Sequence, residues 1–433
     1  MKFYIHTFGC QMNKCDSEHI AGLLLSAGIQ PSNSPEECDI IIINTCAVRK
    51  KPEEKLYSLL GRLDSLRKRK NVFIGVVGCV AQLYRSKLLD KNPFIDFVIG
   101  PDNYWQIPRI IPTQDEEKFI STSWSRDWHE ISYAQTIRES RISGYISIME
   151  GCNNFCSYCV VPFTRGREKF RAIENILSEV EDLANKGYKE IQLLGQNVNS
   201  YRDPKTEKDI SILLKEADLI DGIEWIRFIT SHPKNFTIDI GIAMKETKKV
   251  CHQLHLPVQS GSTSVLERMN RGYTREEYLE KIEILCNLMP DISLSTDIIV
   301  GFPGETEHEF QETLSILKKV RFTNIFSFRY SPRPLTSASK KKDSVSFEDK
   351  KRRLIELQAL QKKIQMETNK SFVGCIIKVL CLGKSKRDPH VYSGRNEGYQ
   401  VVNFKSKNDV IGQFVNVHIT SCGPYSLFGQ IAQ

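Results

Sequence analysis

Gly151-Cys152-Asn153-Asn154-Phe155-Cys156-Ser157-Tyr158-Cys159 is the stretch from which the rest of the chain can be read. Its cysteines have C-x3-C-x2-C spacing and follow an apolar run at 145–149 that reads as a buried strand. The loop is too short and too polar for all three to be core residues. Three thiolates this close read as metal ligands. Three ligands on a four-iron cluster leave one iron open to a small molecule, whereas an electron-transfer cluster normally has four. A structural zinc site would need a fourth Cys or His near by, and none follows until His232. A ligand loop directly after a strand suits the C-terminal edge of a β/α barrel, where such folds do chemistry.

Outward from this loop, strand candidates fall at 145–149, 190–194, 225–230, 251–256, 293–300 and 324–329, with helical stretches between them such as 173–186, 275–287 and 307–320. Six βα units are fewer than the eight of a full barrel, so a partial (β/α)6 barrel is expected. Upstream, apolar runs at 3–8, 39–45, 71–77 and 94–99 alternate with helical stretches at 17–27, 52–68 and 81–90. That alternation implies a doubly wound parallel sheet. Residues 113–141 are polar and read as a linker. Downstream, a charged helix over 346–369 carries Leu354, Leu357, Leu360 and Ile364 at helical spacing, which reads as a packing face. After Gly374 the helical pattern stops. Strand candidates at 375–381, 391–394, 399–404, 414–420 and 427–431 then read as a small antiparallel β-barrel of the OB type. The expected class is α/β, in units spanning 1–115, 138–369 and 371–433.

The 433 residues are 40% hydrophobic and 26% charged, which excludes a long disordered or collagen-like chain. The apolar runs are strand-length, so no bilayer span and no membrane partner are expected. The start leaves no room for a signal peptide, and a cytoplasmic location is expected. The net charge of +8 is uneven. Residues 333–433 carry 18 Lys and Arg against 8 Asp and Glu, while the remainder has a net charge of −2. This suggests a polyanion held at the C-terminal end, with a solvated basic helix face as the alternative.

Thirteen cysteines in a reducing compartment point to metal or reactive thiols rather than crosslinks. Cys10, Cys46 and Cys79 follow the first three main strand candidates, so a parallel sheet would bring them to one edge. They form a second trio of candidate ligands, with buried free cysteines as the alternative. The other seven (Cys15, Cys38, Cys251, Cys286, Cys375, Cys381 and Cys422) share no such pattern and read as packing residues.

Residues 152–159 match the cluster motif of radical S-adenosylmethionine (SAM) enzymes. With Thr7-Phe8-Gly9-Cys10-Gln11-Met12-Asn13 and Asn44-Thr45-Cys46 in front, the chain resembles the radical SAM methylthiotransferase family along essentially its whole length. Residues 194–201 (LGQNVNSY), Thr230-Ser231-His232-Pro233 and 255–261 (HLPVQSG) resemble the branch acting on isopentenyl-modified adenosine in transfer RNA. The resemblance implies two 4Fe-4S clusters and S-adenosyl-L-methionine as cofactors. Cys152, Cys156 and Cys159 would hold the cluster that binds and cleaves SAM to a deoxyadenosyl radical. Cys10, Cys46 and Cys79 would hold an auxiliary cluster carrying the sulfur to be inserted. The reaction would be methylthiolation at C2 of N(6)-(dimethylallyl)adenosine beside the anticodon, in tRNAs reading codons that start with U. The C-terminal barrel would be a TRAM RNA-binding domain.

Further implied partners are a tRNA anticodon stem-loop, an electron donor of flavodoxin or ferredoxin type, and a sulfur source. A monomer is expected. Gly195, Gln196 and Asn197 could meet the methionine part of SAM, Ile299 and Gly301 the adenine, and Arg271 a carboxylate. Each also has a plainer reading as a turn or a salt bridge. Arg165 and Arg167 stand between substrate contact and a surface salt bridge. Arg395, in a TRAM-like pattern, is a candidate phosphate contact. Where the family usually has Ser-Arg-Pro, this chain has Phe170-Arg171-Ala172, which loosens the expected helix start. The same six cysteines would also serve relatives acting on threonylcarbamoyl-adenosine or on a ribosomal-protein aspartate. An alternative from another class is a non-catalytic metal-cluster RNA-binding protein, which predicts four-ligand sites.

Overall fold

The structure is a computed structural model that describes residues 1–48, 50–111, 117–130 and 136–432. The expected unit limits at 115 and 433, and parts of the expected linker, lie outside those residues.

In the first unit, β1 (Lys2–Phe8), β2 (Gln30–Pro31), β3 (Ile40–Thr45), β4 (Phe73–Val77), β5 (Phe97–Ile99) and β6 (Phe119–Ser121) form one parallel sheet in the order β2-β1-β3-β4-β5-β6. Its helices are α1 (Gln11–Ser26), α2 (Lys50–Arg67), α3 (Cys79–Tyr84), α4 (Ser86–Lys91) and α5 (Ile107–Ile110). The four consecutive isoleucines of β3 are buried on both faces, as a central parallel strand requires. On one face Ile20, Leu24 and Ile107 of α1 and α5 pack against the sheet; on the other Leu56, Leu60 and Leu88 of α2 and α4 do so. The chain reverses direction across the sheet between β1 and β3, the position where doubly wound sheets bind ligands at their carboxyl ends. The edge strand β6 lies in the stretch read as a linker. Three residues carry no usable period, and β6 is fixed instead by long-range pairing with β5 and by Gln82 and Asn103, which donate to the carbonyls of Thr122 and Ser123 at 3.0 and 2.9 Å.

The second unit starts with β7 (Ser143–Ser147). A short antiparallel pair follows, β8 (Met149–Glu150) and β9 (Lys169–Phe170), which closes the cysteine loop. The loop also holds the one-turn helix α6 (Val161–Thr164). Next come α7 (Ile173–Asn185), β10 (Glu190–Leu194), α8 (Ile210–Asp218), β11 (Trp225–Ile229), α9 (Ile238–Glu246) and β12 (Gln253–His255). The unit ends with α10 (Thr263–Arg268), α11 (Arg275–Leu288), β13 (Ser293–Val300), α12 (Glu307–Val320), β14 (Asn324–Arg329) and the long α13 (Phe347–Lys370). The parallel strands register as two three-stranded sheets, β7-β10-β11 and β12-β13-β14, joined by the bridge from Ile226 to Val250. This is the expected open barrel of six strands. Thr274 with Glu277 and Thr306 with Glu309 form capping boxes that start α11 and α12. Ala172 gives α7 no side-chain cap, and the Asp203 carboxylate accepts the Ile173 N–H at 2.8 Å in its place, so the helix starts without the proline.

The third unit is a closed five-stranded barrel: β15 (Ile376–Lys384), β16 (Tyr392–Asn396), β17 (Val401–Lys405), β18 (Phe414–Cys422) and β19 (Leu427–Ile431). All pairings are antiparallel except β17 with β19. The barrel docks on the N-terminal ends of the core strands. Arg227, fully buried, bonds Glu190 at 2.7 Å and the carbonyls of Asn396 and Glu397 at 3.0 and 2.6 Å, between the rings of Trp225 and Tyr399. Trp225 meets Phe414 edge-on at 4.7 Å, and Ser293 donates to the Gly398 carbonyl at 2.7 Å. Among the described residues, no helix is long and apolar enough to cross a membrane.

Candidate metal centre

The cysteine loop is shaped by backbone conformations that only some residues tolerate. Gly151 has φ +80°, and a Cβ there would meet the Arg167 carbonyl oxygen at 2.0 Å. Phe155 also has positive φ (48°), and its ring lies 4.2 Å under the Arg167 guanidinium. The loop is tied to the segment after α10: Ser157 N–H donates to the Met269 carbonyl at 2.8 Å, and the Asn270 amide donates to the Phe155 carbonyl at 2.9 Å. Glu168 braces it from the other side, accepting from the Asn153 amide (3.1 Å) and the Ser200 hydroxyl (2.9 Å). Burial pushes the Cys152 thiol up to about 11 and that of Cys159 to about 12. These groups stay protonated at neutral pH until a metal takes the place of the protons.

Cys156 is the most enclosed of the three and has two neighbours that donate to sulfur. Arg271 Nη1 lies at 3.3 Å and His232 Nε2 at 3.6 Å from its Sγ. Burial pushes His232 down to about 2, so the ring is neutral. Three further Arg271 donors are engaged by Tyr273, Tyr158 and the Pro257 carbonyl. Among the described residues, no three His, Cys, Asp or Glu side chains are arranged to hold a single metal ion. His232 is therefore a neighbour of a thiol rather than part of a preformed mononuclear site.

The second trio sits at the carboxyl edge of the first unit. Cys10 directly precedes α1, Cys46 follows β3 and Cys79 starts α3, so Cys10 and Cys46 flank the chain reversal between β1 and β3. A hydrogen bond from Cys46 holds the Cys10 thiol down to about 6, while the Cys46 thiol is pushed up. Burial raises Cys79. Gly9 is required here, because a Cβ would lie 2.7 Å from that of Cys46.

The two trios are neighbours. Helix α6, two residues after Cys159, packs on α3, which begins at Cys79, and Val160 joins the apolar core of the first unit. Arg165, at the end of α6, is 2% exposed. It pairs with Asp16 of α1 and with Glu150 at 3.1 Å, and its charge opposes the rise of the Cys79 thiol. A second buried network ties Arg138 to Glu18 and Glu179, and Arg171 to Glu179 and Glu130. Arg165 is thus an interdomain pin and not a surface salt bridge. A single sequence gives no sign that Asp16 and Arg165, 149 positions apart, will meet.

The C-terminal ends of the core strands form a ledge beside Cys152. Gly195 has no room for a side chain, with Met149 Cγ 2.5 Å from where a Cβ would stand. Gln196 accepts from Gly151 N–H, which leaves its Nε2 buried without a partner. Asn197 donates to Asn235 at 3.0 Å, and its Oδ1 is unpartnered, as are both amide atoms of Asn199 and the Ser231 hydroxyl. These orphaned polar atoms, on the partly buried Gln196 and on Asn197, Asn199 and Ser231, which are less than a tenth exposed, suit a polar ligand lying on the ledge. Ile299 packs beside Phe302 and Met269. Gly301 (φ 72°) donates to Glu305 at 2.6 Å in a tight turn. Arg395, on the small barrel, donates to the Tyr399 carbonyl at 2.8 Å and lies over that ring. It adjoins an open cleft of about 700 Å³ lined by Lys384, Lys386, Arg387, Tyr425 and Phe428.

Comparison with known proteins gives three family matches along the chain. Residues 2–100 match the uncharacterized protein family UPF0004, 146–317 the Radical SAM superfamily and 370–432 the TRAM domain. The tRNA-2-methylthio-N(6)-dimethylallyladenosine synthase of Geobacter sulfurreducens is 45% identical, over 99% of this chain and 97% of its own. The synthase of the same name from Clostridium novyi is 43% identical, over 99% and 96%. Among solved structures, the radical S-adenosylmethionine methyltransferase TsrM of Kitasatospora setae shares the fold with a TM-score of 0.57 at 13% identity, over 78% of this chain and 75% of that one. The cobalamin-dependent radical enzyme OxsB does so at 0.51 and 13%, and the chain spans 56% of its length.

Proposed function

Because this chain belongs to the family of tRNA-2-methylthio-N(6)-dimethylallyladenosine synthases, which are radical SAM enzymes, we propose that it methylthiolates C2 of N(6)-(dimethylallyl)adenosine beside the anticodon of tRNA. Cys152, Cys156 and Cys159 hold one 4Fe-4S cluster, and Cys10, Cys46 and Cys79 hold a second. The donor sets suit this: each is three thiols with no fourth ligand among the described residues, and the first has the polar ledge of Gly195, Gln196 and Asn197 beside it, with Ile299 and Gly301 further round. Bound there, the first cluster and SAM would supply the one-electron chemistry needed at an unactivated carbon, and the second would supply sulfur.

The protein's own part is placement. The ledge orients SAM, and Arg165 and the α3–α6 contact fix the sulfur-bearing site against the SAM site. The C-terminal barrel, through Arg395 and its neighbours, holds the RNA. A base next to an anticodon is already partly unstacked, which lowers the cost of bringing it between the two sites. A one-electron donor of flavodoxin or ferredoxin type and a sulfur source complete the cycle. The units act as 1–115, 138–369 and 371–433 in a cytoplasmic monomer.

The adjacency of the two thiol trios across α3 and α6 carries this reading. The test is anaerobic: load the chain with iron and sulfide, add SAM, dithionite and an isopentenyl-modified anticodon stem-loop, and analyse the nucleosides by mass spectrometry. A methylthio product supports the reading. Deoxyadenosine without that product moves the substrate to threonylcarbamoyl-adenosine or the ribosomal aspartate. Neither product, from protein holding both clusters, removes it in favour of a binding protein.

A further inference from the structure

We infer that His232 and Arg271 set the reduction potential of the cluster held by Cys152, Cys156 and Cys159, by directing two hydrogen bonds at one ligand sulfur, Cys156 Sγ. The inference rests on the proposed reading of those three thiols as ligands. His232 Nδ1 accepts the Lys234 backbone N–H at 3.2 Å, which assigns the ring proton to Nε2, facing the sulfur at 3.6 Å. The ring is 6% exposed and held edge-on against Tyr273 at 5.9 Å. It cannot turn away without giving up both contacts.

Arg271 adds a charge. It is 3% exposed, and its surroundings are the phenols of Tyr158 and Tyr273, the Pro257 carbonyl and Cys156, with no carboxylate among them. A buried guanidinium without a counter-ion is costly. A metal-bound thiolate at Cys156 supplies the missing negative charge. Among the described residues, the other two sulfurs have no guanidinium or ring donor at hydrogen-bond distance: Cys152 has the Asn154 amide at 3.6 Å, and the Arg271 charge reaches Cys159 only at longer range. One cluster corner is therefore singled out for a cation and a ring donor.

Reduction of a cluster adds one electron, and part of that charge resides on its sulfurs. Donors and a cation at a ligand sulfur stabilise the reduced form more than the oxidised form and raise the potential. The pair thus makes the cluster easier to reduce by an external one-electron donor.

The test uses the full chain with Cys10, Cys46 and Cys79 changed to Ala, so that one cluster remains. It is loaded with iron and sulfide and titrated with dithionite under redox mediators, with the reduced cluster read by electron paramagnetic resonance. His232→Asn keeps an acceptor for Lys234 N–H but cannot reach the sulfur. His232→Gln extends an N–H toward the place of Nε2. We expect His232→Asn to disfavour reduction about tenfold, a shift of about −59 mV for one electron, and His232→Gln to recover most of it. Arg271→Met must shift the potential in the same direction, and Arg271→Lys, which keeps the charge, less so. A His232→Asn variant with full iron content and the parent's potential overturns the inference, as do equal potentials for Arg271→Met and Arg271→Lys. A parent that takes up no four-iron cluster overturns the ligand reading itself, and the tuning with it.

Discussion

Replacing Arg165 by Met should loosen the seam between the two thiol trios by an amount the structure allows to be worked out. Arg165, only 2% exposed, pairs with Asp16 and Glu150. Removing one partner of a buried ion pair leaves the other charge uncompensated and costs about 3–5 kcal/mol. Tyr104 OH still donates to Asp16 at 3.1 Å, and Lys169 still stands 3.8 Å from Glu150. The loss therefore belongs at the lower end, about 3 kcal/mol. Asp16→Leu leaves Arg165 its contact with Glu150 and should cost about 2 kcal/mol. In the double variant both charges are gone, and the total should stay near about 3 kcal/mol, a coupling of about 2 kcal/mol. Urea unfolding can be followed by the fluorescence of Trp105 and Trp128, which line a small cavity of about 50 Å³ along this seam. With a slope of about 3 kcal/mol/M, the single Arg165 variant moves the first transition by about 1 M. Costs that simply add in the double variant, or an Arg165→Met midpoint equal to the parent's, would refute the pinning role.

Cys156→Ala should lose the first cluster and all deoxyadenosine formation from SAM, whereas Cys46→Ala should keep SAM cleavage and lose methylthiolation. Product analysis separates the two, and normal methylthiolation by Cys46→Ala would sink the sulfur-carrier role. Gly151→Ala should cut the iron bound after reconstitution at least in half, because its Cβ would lie 2.0 Å from a backbone oxygen that cannot yield; iron and sulfide assays check this. Exchanging Lys384, Lys386 and Arg387 for Gln should weaken tRNA binding and lower the slope of log affinity against log salt by about 3, roughly one per lost phosphate contact. An unchanged slope in filter binding would show that this cleft is not where RNA lies.

The parts of the fold that could be read from the sequence are those with a local period. Strand-length apolar runs such as Ile40 to Ile43, and the Thr-x-x-Glu starts of α11 and α12, are visible within a short window. The cysteine loop is visible because its three members lie within eight residues. Cys10, Cys46 and Cys79 could be grouped only because each follows a strand of one parallel sheet. The structure goes further and packs Cys46 against Gly9, the residue before Cys10. What could not be read depends on meetings between distant segments. His232 stands 76 positions from Cys156, and the nearest signal was that it is the first histidine after the loop. The sequence leaves Arg165 between substrate contact and a surface salt bridge, because burial of an arginine is decided by partners such as Asp16 that share no local pattern with it. Nor does anything local show that Arg271 lies among phenols, a carbonyl and the Cys156 sulfur. Strand β6 is too short to show alternation and is made by the edge of β5.

The position of the small barrel defines a minimum span. It grips the core at Trp225, Arg227 and Ser293, at or near the first residues of their strands, while the cysteine loop and the ledge lie past the last residues. The five residues of β10 alone separate these two levels by about 17 Å at about 3.3 Å per residue. A molecule touching both must cover that depth, equivalent to roughly five stacked nucleotides at about 3.4 Å each. A free nucleoside or a trinucleotide cannot do so, whereas a stem carrying its loop can. If the small barrel holds the RNA as proposed, the depth of the core sets the least length of RNA that can be held there and reach the cysteine loop at once.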